Sequence, residues 1–90
     1  MRPMWVCRLR LSSANRPGVL ARIAQPFAVR GLSLDEVLAT ECDGQPTILV
    51  KFAASQRLAD HLRRRLARMP EVVAAELLTD PGRKIWEFAK

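Results

Sequence analysis

Apolar and polar residues alternate along residues 4–12, which is the spacing of a β-strand. One face of this extended segment is apolar and consists of Trp5, Cys7, Leu9 and Leu11. Arg8 and Arg10 fall on the opposite face. Because side chains of a strand point alternately to its two sides, the pattern predicts a first strand with one face toward a core.

The spacing then changes to that of an amphipathic helix. Apolar residues recur three or four positions apart at Val19, Leu20, Ile23, Ala24, Phe27 and Ala28. We predict a helix that begins at about Arg16, with Asn15 as its N-cap and Gly31 as its C-terminal stop. Pro26 lies inside this helix and lacks a backbone N–H, so we expect a kink or an early loosening there.

A hairpin is predicted next, because the apolar segment 32–42 and the alternating segment 46–54 are separated by Asp43-Gly44. One face of the second segment carries Ile48, Val50 and Phe52. The other face carries Thr47, Leu49 and Lys51.

Ser55 is a suitable N-cap for a second helix, which Pro70 closes. One side of that helix is formed by Leu58, Leu62, Leu66 and Met69, and the other by Arg57, Arg64, Arg65 and Arg68. A final strand is predicted over residues 71–79, with Val73, Ala75 and Leu77 on one face and Glu76 on the other. The turn Asp80-Pro81-Gly82 separates this strand from the tail.

The order of elements is β-α-β-β-α-β, which predicts an α+β, ferredoxin-like fold: a four-stranded antiparallel sheet with both helices on one face. Ninety residues provide one domain, which we place at 1–80, followed by a short C-terminal tail at 81–90. The face without helices is expected to be a mixed charged surface of Arg8, Arg10, Lys51, Glu76, Leu49 and Val72.

The composition is that of a folded domain, with 49% hydrophobic and 27% charged residues. The net charge of +6 invites a nucleic-acid interpretation, although a solvated arginine-rich helix face explains it equally. The RNA-recognition motif has the same order of elements, but it stacks bases on aromatic residues of its open sheet face. Trp5 and Phe52 fall instead on the predicted core faces, so we expect no such platform.

Chemistry of other kinds is not indicated. The one histidine, His61, lies among arginines in the second helix, and Cys7 and Cys42 have no spacing typical of a disulfide framework or a zinc site. No nucleotide-binding glycine motif, signal peptide or apolar run of transmembrane length is found. We therefore expect a cytoplasmic protein without a catalytic site, a metal or a cofactor of its own.

The segment Asn15-Arg16-Pro17-Gly18-Val19-Leu20 leaves two interpretations open. The first is local structure, in which Asn15 caps, Pro17 starts a helix and Gly18 permits a tight turn. The same atoms suit a ligand, because a helix N-terminus attracts a carboxylate and Gly18 permits close approach. The Asn15 amide can both donate and accept, as recognition of an amino acid requires.

The segment NRPGVLARIAQPFAVRGLSLDEV resembles the signature of the ACT domain, a βαββαβ module that binds amino acids and regulates metabolic enzymes. The whole chain, through QRLADHLRRRL and MPEVVAAEL, is similar to the family of small regulatory subunits of acetolactate synthase. The resemblance implies a homodimer with an amino-acid effector, commonly valine, bound between two copies. It also implies a large catalytic subunit that carries thiamin diphosphate, Mg²⁺ and FAD, and feedback inhibition by the effector.

Site residues are implied by the same resemblance. Asn15 and Gly18 would hold the polar groups of the ligand, with Val19 and Leu20 near its backbone. Ala39 and Thr40 of the neighbouring copy would line its side-chain end. A free-standing amino-acid sensor and an RNA-binding module remain the alternatives.

The tail offers one more candidate surface. Ile85, Trp86 and Phe88 would either dock on the catalytic subunit or pack on the sheet of this domain.

Overall fold

The computed structural model describes residues 2–12, 18–79 and 82–89. The strands in these ranges are Met4–Leu11 (β1), Glu36–Cys42 (β2), Gln45–Ala53 (β3) and Val72–Thr79 (β4). The helices are Val19–Ala28 (α1), Gln56–Ala67 (α2) and a C-terminal 3₁₀ helix, Ile85–Ala89. The predicted βαββαβ order is confirmed.

The four strands form one antiparallel sheet in the order β2-β3-β1-β4. Strand β1 is central, so Cys7 lies between Val50 of β3 and Leu77 of β4. Asp43 and Gly44, both with positive φ, form the predicted two-residue turn between β2 and β3. β2 and β4 are therefore the two edges of the sheet.

Both helices cover the same face of the sheet. The main core joins Ile23 and Phe27 of α1 and Leu62 and Leu66 of α2 to the alternate strand residues predicted for the buried side. The rings of Phe27 and Phe52 meet edge to face with their centroids 4.9 Å apart. α1 thus lies toward the β3 side, while α2 packs on β4 and β1.

The opposite face of the sheet is not the mixed charged surface expected from the sequence. A second apolar cluster forms there, in which Val6 and Leu49 are fully buried beneath Ile85 and Phe88 of the 3₁₀ helix. The strand pattern alone did not show this, because the residues that cover Leu49 come from a tail that follows all four strands. Arg8, Arg10 and Glu76 share this face and form an ion-pair group beside the cluster.

A β-bulge in β4 corrects two further expectations. Arg10 pairs with Ala74 but Leu11 pairs with Val72, so Val73 is an extra residue in the ladder. The insertion places Val72 in the helix-side core, where only 8% of it is exposed, whereas Val73 is 60% exposed. Simple alternation predicts the reverse, with Val72 on the open face and Val73 on the helix side.

Each helix has a distinct beginning and end. The Ser55 hydroxyl caps α2 by accepting from the backbone N–H of Leu58 at 3.2 Å, as predicted. α1 ends at Ala28, two residues beyond the buried Pro26. Backbone bonds from Gly31 to Ala28 and from Leu32 to Phe27 then close its C-terminus. α1 begins at Val19 with left-handed Gly18 as its N-cap, so the helix starts later than the predicted Arg16. Arg16 and the predicted cap Asn15 themselves lie outside the described residues.

Within the described ranges, no helix has both the length and the apolar character needed to cross a membrane.

Candidate functional site

The N-terminal end of α1 is built around Gly18, which directly follows the segment 13–17 that the structure does not describe. Gly18 adopts a left-handed conformation, with φ 78° and ψ 1°. A side chain is strained in this conformation, and a Cβ would lie 3.4 Å from Nη1 of Arg22. Only glycine adopts this backbone conformation at the start of α1 without strain.

The electrostatics of this helix end differ from those of α2. Gly18 has no side chain to accept a hydrogen bond from the first turn, and that turn contains no acidic residue. The start of α2, by contrast, is capped by the Ser55 hydroxyl. Among the described residues, no side chain caps the first-turn N–H groups of α1, and this positive end of the helix dipole suits an anion such as a carboxylate.

The two residues after Gly18 have different environments. Val19 is 7% exposed and belongs to the main core, whereas Leu20 is 46% exposed. At about 100° per residue, Leu20 lies on the flank of α1 opposite Arg22 and Val29. Of the three described residues predicted at this turn, Gly18 and Leu20 are accessible and Val19 supports the turn from below.

Ala39 and Thr40 lie on the edge strand β2, but on opposite faces of the sheet. Ala39 pairs with the helix-side residue Ile48 and is exposed, while Thr40 pairs with Thr47 on the other face and is half-buried. Ala39 therefore shares the helix-bearing side with α1. Val37, 42% exposed, lies on that same side of β2, and the sequence analysis did not single it out.

An ion pair between a half-exposed arginine and a buried carboxylate supports the first turn of α1. Arg22 pairs with the carboxylate of Glu71, of which only 6% is exposed. The carbonyl oxygen of Glu71 accepts from the backbone N–H of Ser12 at 2.9 Å, at the end of β1. Glu71 thus holds both sides of the β1–α1 connection. Sequence reasoning missed this pair, because a carboxylate between Pro70 and an apolar strand gave no sign of its partner.

The described residues contain no cluster of three or more metal-ligating side chains. Burial raises the pKa of the Cys7 thiol to about 12, which makes this group unreactive near neutral pH. His61 is exposed on α2, where its Nε2 lies 2.8 Å from Nη2 of Arg30. Neither residue is arranged with a nucleophile or a base for catalysis.

The aromatic side chains also argue against a base-stacking surface on the open sheet face. Trp5 and Phe52 both lie in the helix-side core, and the Trp5 indole N–H donates to the carbonyl oxygen of Ala54 at 2.9 Å. The part of the opposite face that such a platform would use is covered by Ile85 and Phe88. The expectation from the sequence is confirmed for these two aromatic residues.

No known family model and no curated protein matches the chain. Solved structures do match it. A homoserine dehydrogenase from Thiobacillus denitrificans superposes with a TM-score of 0.70 and 21% identity over 88% of this chain. The regulatory subunit of aspartate kinase from Thermus flavus gives a TM-score of 0.60 and 17% identity, again over 88% of the chain. The fold is ACT-like.

The ACT-like fold has a further structural neighbour of nearly the same size. The C-terminal domain of the MgtC protein from Mycobacterium tuberculosis gives a TM-score of 0.74 and 15% identity, and the match covers 92% of this chain and 93% of that domain. The chain spans only 17% of the homoserine dehydrogenase and 53% of the aspartate kinase regulatory subunit. In all three matches, a unit of this fold forms one part of a larger protein.

Proposed function

We propose that this chain is a non-catalytic regulatory module that binds an amino acid and adjusts the activity of a catalytic partner in amino-acid biosynthesis. The observation that carries the proposal is the start of α1, where left-handed Gly18 precedes a first turn that has no acidic residue and that no side chain of the described ranges caps. The fold shared with the regulatory subunit of aspartate kinase supports it.

The proposed chemistry of binding rests on this helix end and on the residue types beside it. The effector carboxylate accepts from the first-turn N–H groups of α1, and the Asn15 amide contacts the polar groups of the amino acid. Leu20 supplies apolar contact on the accessible flank. A half-site of this kind is shallow, so we propose that a second copy completes it.

The second copy is proposed to associate along β2, which is an edge strand on the α1 side of the sheet. Val37 and Ala39 of that copy would line the side-chain end of the ligand with apolar side chains of small or moderate size. A site of this kind favours an aliphatic effector. Thr40 lies on the other face of β2, so its proposed role is to support the dimer from that side.

At its most specific, the proposal is that the chain is the small regulatory subunit of acetolactate synthase and that valine is its effector. The catalytic subunit would carry thiamin diphosphate, Mg²⁺ and FAD. This chain would raise the activity of that subunit, and valine would favour a less active arrangement. The effector can shift the enzyme only by its difference in affinity for the two states, typically about 1–3 kcal/mol.

Amino-acid binding is tested by calorimetry of the chain with valine, leucine and isoleucine. We expect binding of at least one of them and a loss of about tenfold in affinity for Gly18→Ala, because a displaced first turn loses charge-assisted hydrogen bonds. Gly31→Ala is the matched control: Gly31 also has positive φ (68°), no atom lies within 4 Å of its added Cβ, and it follows the opposite end of α1. Equal loss in both variants, or no binding by the parent, contradicts the proposed site.

The assignment to acetolactate synthase needs a separate assay. The chain is added to the purified catalytic subunit, and acetolactate formation is measured with and without valine. Activation that valine reverses is the expected result. Binding of an amino acid without any activation would favour the free-standing sensor instead.

A further inference from the structure

A groove lies between α1 and the C-terminal end of α2, on the outer side of the helix layer. Its volume is about 480 Å³, and its apolar wall is formed by Pro26, Val29 and Met69. Val29, the C-cap residue that follows α1, is 67% exposed, so this wall is open to a partner. Arg65 and Arg68 border the same groove, so apolar and cationic groups meet there.

The charges of the groove do not balance. Glu71 is the one acidic residue that lines it, and its carboxylate is already paired with Arg22. Arg65 and Arg68 are exposed and have no ion pair with any described residue. Two guanidinium groups therefore remain without compensation beside an exposed apolar wall.

The cationic surface continues along α2 beyond the groove. A second hollow of about 380 Å³ is lined by Arg57, His61 and Arg64. From Arg57 to Arg68 the helix rises about 16 Å, at 1.5 Å per residue. A surface of this length is longer than a small metabolite and matches the length of a short peptide segment.

We propose that this surface, the α1/α2 groove with its extension to Arg57, docks a segment of a partner protein that carries both acidic and apolar side chains. The acidic groups pair with Arg65 and Arg68, and the apolar groups cover Val29 and Met69. A second copy of this chain would bring the same uncompensated arginines to the interface and is disfavoured by repulsion. Nucleic acid would pair with the arginines but leave the apolar wall uncovered.

The docking proposal rests on the proposed function in one respect, namely that the regulated protein supplies the segment. Its location differs from that of the amino-acid site, although the two adjoin at Arg22, which lines the groove and lies beside Gly18. Val29 and Arg22 lie on the flank of α1 opposite Leu20, so a partner in the groove leaves that flank and the β2 edge free. Docking and amino-acid binding can therefore be separated by substitution.

The test uses a fluorescent, helix-forming peptide of about eleven residues, the length that spans 16 Å, with glutamate on one side and leucine on the other. Binding to the full chain is measured by anisotropy at low ionic strength. We expect Arg65→Gln/Arg68→Gln to weaken binding about tenfold, because two exposed ion pairs are lost. The control Arg2→Gln/Arg10→Gln removes the same charge outside the helix layer and should cause less than a twofold change.

Three further measurements distinguish the sources of affinity. A peptide with glutamine in place of glutamate, and one with serine in place of leucine, should each bind more weakly than the parent. Val29→Gln should weaken the leucine-containing peptide several-fold, and its exposure makes a folding defect unexpected. Circular dichroism confirms the fold of each variant.

If the Arg65/Arg68 and the Arg2/Arg10 double substitutions weaken peptide binding equally, the effect is one of net charge alone and the proposal is overturned. Tighter binding of a single-stranded RNA of similar length, with the same dependence on Arg65 and Arg68, would show that the surface binds nucleic acid and would also overturn the proposal. The proposed function is assessed separately: Arg65→Gln/Arg68→Gln should retain the calorimetric response to amino acids, whereas Gly18→Ala should lose it and still bind the peptide.

Discussion

Arg8 joins the C-terminal 3₁₀ helix to the centre of the sheet: its Nη1 donates to the carbonyl oxygen of Phe88 at 3.1 Å. Its Nη2 donates to Oε2 of Glu76 at 2.8 Å. The Arg8 side chain is 17% exposed, so both bonds are partly shielded from water. One guanidinium group thus connects β1, β4 and the last described element of the chain.

Arg8→Gln should therefore release the 3₁₀ helix and lower the free energy of unfolding by about 1.5–3 kcal/mol, the range for hydrogen bonds to a charged group. Urea unfolding measures the stability, and amide exchange of residues 85–89 measures the release. Arg10→Gln is the control, since Arg10 is 43% exposed and reaches Glu76 only at 3.8 Å. Similar losses in both variants would mean that the bond to Phe88 contributes nothing.

Phe88 and Trp86 should respond differently to truncation. Phe88 is 8% exposed in the open-face cluster, so Phe88→Ala should cost about 3 kcal/mol, near the lower end for a buried aromatic residue. Trp86 is 58% exposed, and Trp86→Ala should change stability by less than about 0.5 kcal/mol. Thermal unfolding compares the two. A large loss from Trp86→Ala would show that this side chain contributes to the domain itself.

The Arg22–Glu71 pair should show strong coupling. Arg22→Gln leaves a buried carboxylate without its counter-charge and should destabilise the chain by about 1–3 kcal/mol. Adding Glu71→Gln to that variant should cost less than Glu71→Gln does in the parent, because the unpaired charge is removed. A double-mutant cycle in urea measures the coupling, and additive effects would contradict a direct interaction.

The two thiols should differ in reactivity and in their effect on pH stability. Cys42 is half-buried and should react with a thiol reagent in the folded chain, whereas Cys7, with a pKa of about 12, should react only on unfolding. The folded pKa of Cys7 is raised above its unfolded value of 9.0. Its contribution is therefore complete below about pH 9 and is lost as pH rises toward 12, by up to ~1.4 kcal/mol per pH unit.

That pH dependence is measured by urea unfolding between pH 8 and the alkaline limit of the folded chain. Cys7→Ala creates a small cavity at all pH values, but the decline above pH 9 should be shallower than in the parent. Parallel declines in the two proteins would assign the alkaline loss to other groups.

The elements with clear periodicity were predicted correctly from the sequence. β1, β3 and the buried side of α2 lie as expected, because local alternation and helical spacing determine which side faces a core. Prediction failed where one residue changes the phase, as at Val73. It also left Leu49 on an open face, although packing of Ile85 and Phe88 on the sheet was one of the two alternatives for the tail and is what the structure has. The Arg22–Glu71 pair was invisible, since two charges far apart in the chain have no shared pattern.

At the candidate site, sequence chemistry predicted the glycine turn but not the arrangement of β2. Gly18 stands at the start of α1 as its residue type suggested. Ala39 and Thr40 were considered together because they are neighbours in sequence, yet neighbours on a strand point to opposite faces.

The bulge at Val73 makes the two edges of the sheet unequal. A regular strand such as β2 presents an even row of backbone donors and acceptors that another strand can extend, whereas a bulged edge strand is a poor template. Sheet extension in this protein is therefore favoured from one side. If two copies pair β2 with β2 around a twofold axis, as we propose, they use up that edge, and the assembly is closed at two chains instead of continuing into a fibre.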